Sequence, residues 1–367
     1  MFDPQIFCHQ RFGGISRYVC GIVTEMQRMS GVTPLIVAPF HFNEYLDALP
    51  RNLVHGTRVR WLEGLTALAY GASVLPAKLE ARRFKPDVQH NTYYFPVRPP
   101  KGARAVVTVH DMIHEKYPKY FAASPLITRL KAASIAAADH VICVSASTRR
   151  DLLATCDVPE ERVSTIHLGF DPLGVMLTGE SPAAFKIRAL GADAPYLLYV
   201  GSRVTYKNFR GLLDAYTASA QLHDNFFLLC FGGGEFTGAE RAAMSRAGID
   251  KRVKHLGGDD TVLAACYAHA SLFVCPSFCE GFGIPVLEAM SLDCPVACSN
   301  SSSLPEVAGD AARLFDPLDR DSIGGALESV LGSPAEAESL VIRGRIRRQQ
   351  FSWRACAEST VGVYRQT

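Results

Sequence analysis

Short apolar runs alternate with amphipathic stretches along nearly the whole chain, and this rhythm limits the fold more than any other feature of the sequence. Runs at residues 34–38, 59–62, 87–90, 105–109, 140–144 and 163–166 read as strands in the first half. Runs at 196–200, 226–231, 253–256, 272–275, 295–298 and 313–315 do so in the second. Helical spacing fills most intervals, as at 209–221 and 282–292. Strand and helix repeated in this way predict parallel sheets joined by right-handed crossovers. The chain therefore reads as α/β, with two doubly wound units. Its 367 residues hold two domains at roughly 100–200 residues each.

Residues 169–194 read as the linker, because periodicity is poor there and Gly169, Pro172, Gly174, Gly179 and Pro182 interrupt it. The expected domains are 1–175 and 190–350. Trp353, Cys356, Ala357, Thr360, Val361 and Tyr364 share one face of a last helix. That helix, 352–367, is expected to pack back on the first domain.

Composition narrows the function classes. Hydrophobic residues make up 48% and charged residues 20%, which argues against disorder. Lys and Arg outnumber Asp and Glu by 20 to 14 in residues 1–165 and are outnumbered 18 to 22 thereafter. The basic excess is scattered, so no nucleic-acid partner is expected. The 11 cysteines sit mostly in apolar runs, as Cys143, Cys230 and Cys275 do, which suits buried thiols in a reduced, cytoplasmic protein. Cys275/Cys279 and Cys294/Cys298 have zinc-like spacing but no histidine cluster, so no metal site is expected. Residues 1–12 lack the apolar core of a signal peptide. The longest uncharged stretch, 261–279, contains His269 and Pro276 and reads as a helix followed by a strand, not a membrane span.

Doubly wound units bind ligands at the carboxyl ends of their strands. The most informative such end is CPSFCEGFGIPVLEAM. A strand closes at Cys275, and Glu280-Gly281-Phe282-Gly283-Ile284-Pro285 then opens a helix containing Glu288. Pro285 suits a first helical turn, glycines let backbone approach a ligand, and helix N-terminal amides suit an anion. Gly201–Asn208 is a second strand-to-helix loop, in which Arg203 and Lys207 lie four apart and could meet a diphosphate. Phe12-Gly13-Gly14-Ile15-Ser16-Arg17-Tyr18 opens a helical stretch reaching Arg28. His110 and Asp111 end a strand, His114 follows, and residues 90–94 end another. The turns at 231–235 and 255–257 end two more. Asp319-Arg320-Asp321 reads as an acidic first helical turn, not a metal-binding pair.

Together, Glu280-x7-Glu288, FGGISRY, VHDMIHEKYP, ICVSASTRRDL, YVGSRVTYKNFRGLL, SSLPEVAGDAARLFDP and the closing FSW…VYR segment resemble the retaining glycosyltransferases of the GT-B fold, family 4 in particular. The resemblance implies two Rossmann-like domains facing across a cleft, the second binding a nucleotide diphosphate sugar as substrate, with no cofactor. It implies that Arg203 and Lys207 neutralise the leaving diphosphate and that Gly13 and Gly14 bring amides to it. Glu280 would hold sugar hydroxyls and Glu288 the ribose, while Gly233, Leu256, Gly281, Phe282, Gly283 and Ile284 line the donor. His110 would contact the transferred sugar, with Arg17, Tyr93, Asp111 and His114 on the acceptor side.

The implied acceptor is a glycan or a lipid-linked glycan. Weak peripheral association with the inner membrane face is then expected, through Arg82, Arg83, Lys85, Arg98, Lys101 and Arg104. FGGISRY and VHDMIHEKYP look most like bacterial mannosyltransferases of polysaccharide biosynthesis, which makes GDP-mannose the first expected donor. A UDP-hexose donor, a GT-B nucleotide-sugar epimerase and an inert nucleotide-sugar-binding subunit stay open as alternatives.

Overall fold

Every strand pair among the described residues is parallel. The structure, a computed structural model, describes residues 1–121, 124–177 and 179–366. They form two units: residues 1–169 with 351–367, and residues 170–350. The expected linker contains Thr178, and the expected last helix ends on Thr367; both lie outside the described residues.

The first unit contains β1 (Ile36–His41), β2 (Val54–Arg58), β3 (Val88–Asn91), β4 (Arg104–Val109), β5 (His140–Cys143) and β6 (Val163–Thr165). Its helices are α1 (Gly14–Met26), α2 (Thr66–Phe84), α3 (Ile113–Lys116), α4 (Ser124–Ala137) and α5 (Ala146–Thr155). Phe2 bridges Ile36 and His90, so the spatial order is β2, β1, Phe2, β3, β4, β5, β6. Chain order thus reverses between Phe2 and β3. Nothing in the sequence signals Phe2 as a sheet member, because Pro4 cuts its apolar run short.

The second unit contains β7 (Tyr196–Val200), β8 (Phe227–Phe231), β9 (Val253–Leu256), β10 (Leu272–Cys275), β11 (Val296–Ser299) and β12 (Arg313–Phe315). Its helices are α6 (Pro182–Leu190), α7 (Phe209–Ala218), α8 (Ala220–Asn225), α9 (Gly238–Arg246), α10 (Asp260–Ala268), α11 (Ile284–Ser291), α12 (Leu304–Ala308), α13 (Arg320–Leu331) and α14 (Pro334–Arg347). The order is β12, β11, β10, β7, β8, β9, which reverses between β7 and β10. Leu197, Leu228, Leu272 and Val274 lie fully buried in the core of this sheet.

Three local expectations need correction. The run at 59–62 is not a strand: residues Arg60–Leu62 form a 3-10 turn, and β2 precedes it. β2 has the sequence VHGTR and is half-exposed to exposed along its length, so no apolar run announces it. The stretch 169–194 is not a bare linker. The first unit ends at Gly169, and α6 belongs to the second unit. Ser181 caps α6, Gly191 ends it at φ +82, and Phe185 is buried beside Tyr196 and His269. The helix expected at 209–221 is two helices, because Ser219 leaves helical geometry and caps α8.

The last helix, α15 (Trp353–Gln366), lies against α1 within the first unit. Gly21 makes the close approach possible, since a Cβ there would sit 2.6 Å from the Trp353 ring. A buried polar chain fastens the same helix to the sheet. His90 Nδ1 lies 2.6 Å from the Tyr364 hydroxyl, His90 Nε2 lies 2.8 Å from Thr108 Oγ1, and Tyr18 Oη lies 3.0 Å from that same Oγ1. Overpacking a tight interface costs roughly 1–3 kcal/mol. Gly21→Ala should therefore lower the unfolding free energy by about that much. Gly362→Ala, where an added Cβ meets nothing within 4 Å, should leave it unchanged or raise it by up to ~1 kcal/mol. Urea unfolding of the two variants checks both signs.

Candidate active site

The reversal of strand order between β7 and β10 leaves two loops side by side at the carboxyl edge of the second sheet. In doubly wound sheets this is where a ligand crevice forms. One loop carries Lys207 and the other Glu280, and the ammonium meets both carboxylate oxygens, at 2.6 and 2.8 Å. Burial is the largest single influence on the Lys207 ammonium and works to lower it, but Glu280, Tyr206 and Cys275 together hold it above the usual lysine range. The backbone ties the loops as well, with Phe278 N–H donating to the Tyr206 carbonyl at 2.8 Å.

A row of serines holds the Glu280 loop in place. Ser277 Oγ donates to Glu280 Oε1 at 2.6 Å. Ser301 Oγ reaches the carbonyls of Ser277 and Phe278, and Ser303 Oγ those of Glu280 and Phe282. Ser302, at φ +53, accepts the Glu280 N–H at 2.9 Å. Asn208, also left-handed at φ +52, caps α7 and donates to the Pro317 carbonyl at 2.8 Å. Both loops are therefore fixed before any ligand arrives.

Arg203 points elsewhere. Its side chain is 4% exposed, and Nε donates to Glu240 at 2.8 Å. Nη1 reaches the Gly232 carbonyl at 3.2 Å, and Nη2 reaches those of Gly234 and Glu235 at 2.8 Å each. The guanidinium also lies 4.7 Å from the Phe236 ring centroid. It thereby staples the turn of Gly232, Gly233 and Gly234, all at positive φ, to the β7 loop. Gly233 is exposed on that turn, and Leu256 is half-buried at the end of β9.

Gly281 is half-buried, Phe282 and Gly283 are buried, and Ile284 begins α11. Glu288 is buried on α11, where its Oε2 accepts from the Tyr267 hydroxyl at 3.2 Å. Asp319 is the cap of α13, accepting the Asp321 N–H at 2.9 Å. No group of histidine, cysteine and carboxylate side chains among the described residues is arranged to hold a metal.

The first unit gathers its own residues at the carboxyl ends of Phe2, β3 and β4. Asp3 accepts from Thr92 N–H at 2.9 Å and from Thr92 Oγ1 at 2.6 Å, which fastens the loop after β3. Tyr93 on that loop stacks between His9 and Tyr94, at centroid distances of 5.1 and 4.6 Å. His110 is buried, edge-on to Tyr18, and its N–H donates to the Tyr94 hydroxyl at 3.1 Å. Asp111 is half-buried, and its Oδ1 accepts the Ile113 N–H at 3.1 Å just ahead of α3. His114 lies on α3 with its ring 4.4 Å from that of Phe121. Gly14 opens α1 in open space, whereas Gly13 is covered by the Gln10 carboxamide. Arg17 is half-buried one turn further on.

Sequence reasoning missed Ser277, the serines at 301–303, Glu240 and Lys131. Ser302 and Ser303 stand in the string SSLPEVAG, and three hydroxyl residues after a strand signal local backbone bonding. Lys131 carries no signal, since a lysine in a helix is ordinarily solvated.

Two family models cover most of the chain: "Glycosyltransferase Family 4" at residues 12–172 and "Glycosyl transferases group 1" at residues 180–347. The chain is 29% identical over 370 residues to an O-antigen chain mannosyltransferase B of Escherichia coli, covering 96% of each. Its fold matches sucrose-phosphate synthase from Thermosynechococcus elongatus at a TM-score of 0.74 and 21% identity, covering 96% of this chain and 93% of that one. It matches WaaG, a glycosyltransferase involved in lipopolysaccharide biosynthesis, at 0.73 and 14% identity, covering 99% and 98%. Both structures have the GT-B fold.

Burial lowers the His110 imidazole to about 4 and that of His90 to about 3. Both rings therefore stay neutral in the folded chain at pH values where unfolded imidazoles, titrating near 6.5, take up protons. Stability should rise with pH across this window and be lost as pH falls from 6.5 toward 4, by up to about 1.4 kcal/mol per pH unit for each ring. His110→Gln should flatten that slope by about one ring's share. Urea unfolding at several pH values between 6.5 and 4.5 measures it.

Proposed function

The chain belongs to the glycosyltransferases of family 4 and group 1, and from that premise we propose that it moves mannose from GDP-mannose to a hydroxyl of a glycan, with retention at the anomeric carbon. The observation that carries this reading is the Lys207–Glu280 pair, locked by serines at the strand-order reversal of the second sheet. A cation and a carboxylate at one point suit a phosphate-linked sugar: Lys207 meets the diphosphate and Glu280 the sugar hydroxyls. The choice of mannose is supported by the O-antigen chain mannosyltransferase, related across 96% of each chain.

In this reading the acceptor oxygen bonds to the anomeric carbon as the bond to the diphosphate breaks. The acceptor proton passes to the leaving phosphate on the same face. Lys207 stabilises the growing negative charge directly, because a fixed cation in a largely buried setting needs no reorganisation. Arg203 adds positive charge from behind the glycine turn that it holds. Gly13 and Gly14 present the amides of α1, Glu288 holds the ribose, and His110 contacts the mannose. Arg17, Tyr93, Asp111 and His114 serve the acceptor. No metal ion and no cofactor takes part.

Purified protein given GDP-mannose, UDP-glucose and other nucleotide sugars, with and without a lipid-linked oligosaccharide, should elongate the acceptor with GDP-mannose and be indifferent to EDTA. Conversion of donor to an epimer without acceptor, or no turnover with any donor, sinks the proposal. Lys207→Ala should lose at least ~10²-fold in turnover and bind GDP more weakly. Glu280→Ala should lose turnover while keeping GDP affinity, and Glu288→Ala should lose the affinity. Calorimetry with bare GDP separates the two carboxylates.

The reading places the acceptor on a lipid, with the protein bound loosely at an anionic bilayer. Support comes from α2, which exposes Leu68, Leu75 and Leu79 at 52%, 67% and 55%, beside Lys78, Arg82, Arg83 and Lys85. No described helix is long and apolar enough to cross a membrane. Each basic residue near anionic lipid contributes about 1 kcal/mol. Vesicles containing phosphatidylglycerol should co-sediment the protein at low salt and release it at high salt. Leu75→Glu/Leu79→Glu should abolish the binding, and equal recovery with neutral vesicles would refute it.

A further inference from the structure

Lys131 is the one lysine among the described residues whose whole residue is buried, and its side chain has no exposure. It rises from α4 into the back of the turn that follows β4. Its ammonium donates to the Asp111 carbonyl at 2.9 Å and to Glu115 Oε2 at 2.9 Å. Asp111 Oδ1 lies 3.8 Å away, and the Tyr94 ring centroid 4.9 Å. Taking an ammonium out of water costs several kcal/mol, and an apolar residue could fill the same space without that cost. All of these contacts come from Tyr94 and from residues 111–115. Tyr94 also receives the His110 N–H at 3.1 Å.

We propose that Lys131 is a positioning residue for the transfer reaction, its buried ammonium fixing the turn that carries His110 and Asp111 so that both side chains are held for the sugar. This rests on the transferase reading above. The clamp works at two places. It ties down the Asp111 carbonyl, which fixes the Asp111–Met112 peptide, one residue on from His110, and it steadies the Tyr94 ring, whose hydroxyl receives the His110 backbone N–H.

The clamp has an electrostatic consequence. The groups facing His110 are Asp111 beside it, Lys131 behind it, the buried His90 on β3, the Tyr18 ring edge on α1 and the Tyr94 hydroxyl. Glu115 and His114 on α3 lie beyond Asp111. Burial is the main reason that His110 is hard to protonate; Asp111 works to raise it and Lys131 to lower it. Removing Lys131 leaves burial alone against Asp111, and His110 then takes up its proton at higher pH.

The test uses the full chain with Lys131→Arg, Lys131→Met and Lys131→Met/Glu115→Gln, the last removing both charges so that none is stranded. Turnover with GDP-mannose is measured alongside the His110 imidazole titration by NMR, assigned from the signal missing in His110→Gln. The double variant should melt near the wild-type temperature yet lose at least ~10-fold in kcat, with donor KM changed by less than about two-fold. Its His110 midpoint should rise by at least ~0.5 pH unit, and Lys131→Arg should restore both readouts. Unchanged kcat, or a lower kcat with an unmoved His110 titration, overturns the proposal. If the wild type turns over no donor, the transferase reading fails, and the His110 titration alone still decides the role of Lys131.

Discussion

The reversal of strand order at β7 and β10 is the constraint on which the rest of the second unit depends. Elsewhere in the sheet, successive crossovers lie on one side and their loops diverge. At the reversal the crossovers run to opposite faces, which is where the loops of a doubly wound sheet leave a crevice. A lysine and a glutamate from segments 73 residues apart meet there. An ion pair of that kind is costly to bury unless its remaining bonding capacity is met. Ser277 meets part of it at the carboxylate, and the serines at 301–303 hold the backbone that positions it.

The first unit repeats the arrangement with different chemistry. Its reversal falls between Phe2 and β3, and the stitch across it is a buried carboxylate on a threonine. Burial raises Asp3 and the bonds from Thr92 and Gln5 lower it, with burial the larger effect. One reversal carries a charged pair able to meet a phosphate. The other carries aromatic rings and two histidines that burial keeps neutral.

The sequence shows this unevenly, for physical reasons. Strands buried on both faces announce themselves as continuous apolar runs, which is why β4, β7, β8 and β10 are plain in the chain. β2 and Phe2 are not, since one is an exposed edge and the other a single residue whose place is set by backbone pairing. Glu280 and Glu288 stand out because glycine, proline and charge occur together at a strand end, and Lys207 because two cations four apart follow another. Arg203 illustrates the limit. Its charge and position in a loop fit a ligand contact, but its commitment to Glu240 and three carbonyls depends on residues 29 to 37 positions away. Lys131 is the same case in reverse, a residue ordinary in sequence and singular in its surroundings.

The chain leaves the first unit at Gly169, completes the second, and returns at Phe351 to lay α15 on α1. The order of completion during synthesis is therefore inverted. The second unit has all its residues once Gln350 emerges from the ribosome. The first, begun earlier, still lacks the helix that covers Gly21 and supplies the Tyr364 hydroxyl to His90. Domains generally fold as they emerge. Here the earlier-made half must wait, with one face of α1 uncovered, until translation of the later half is finished.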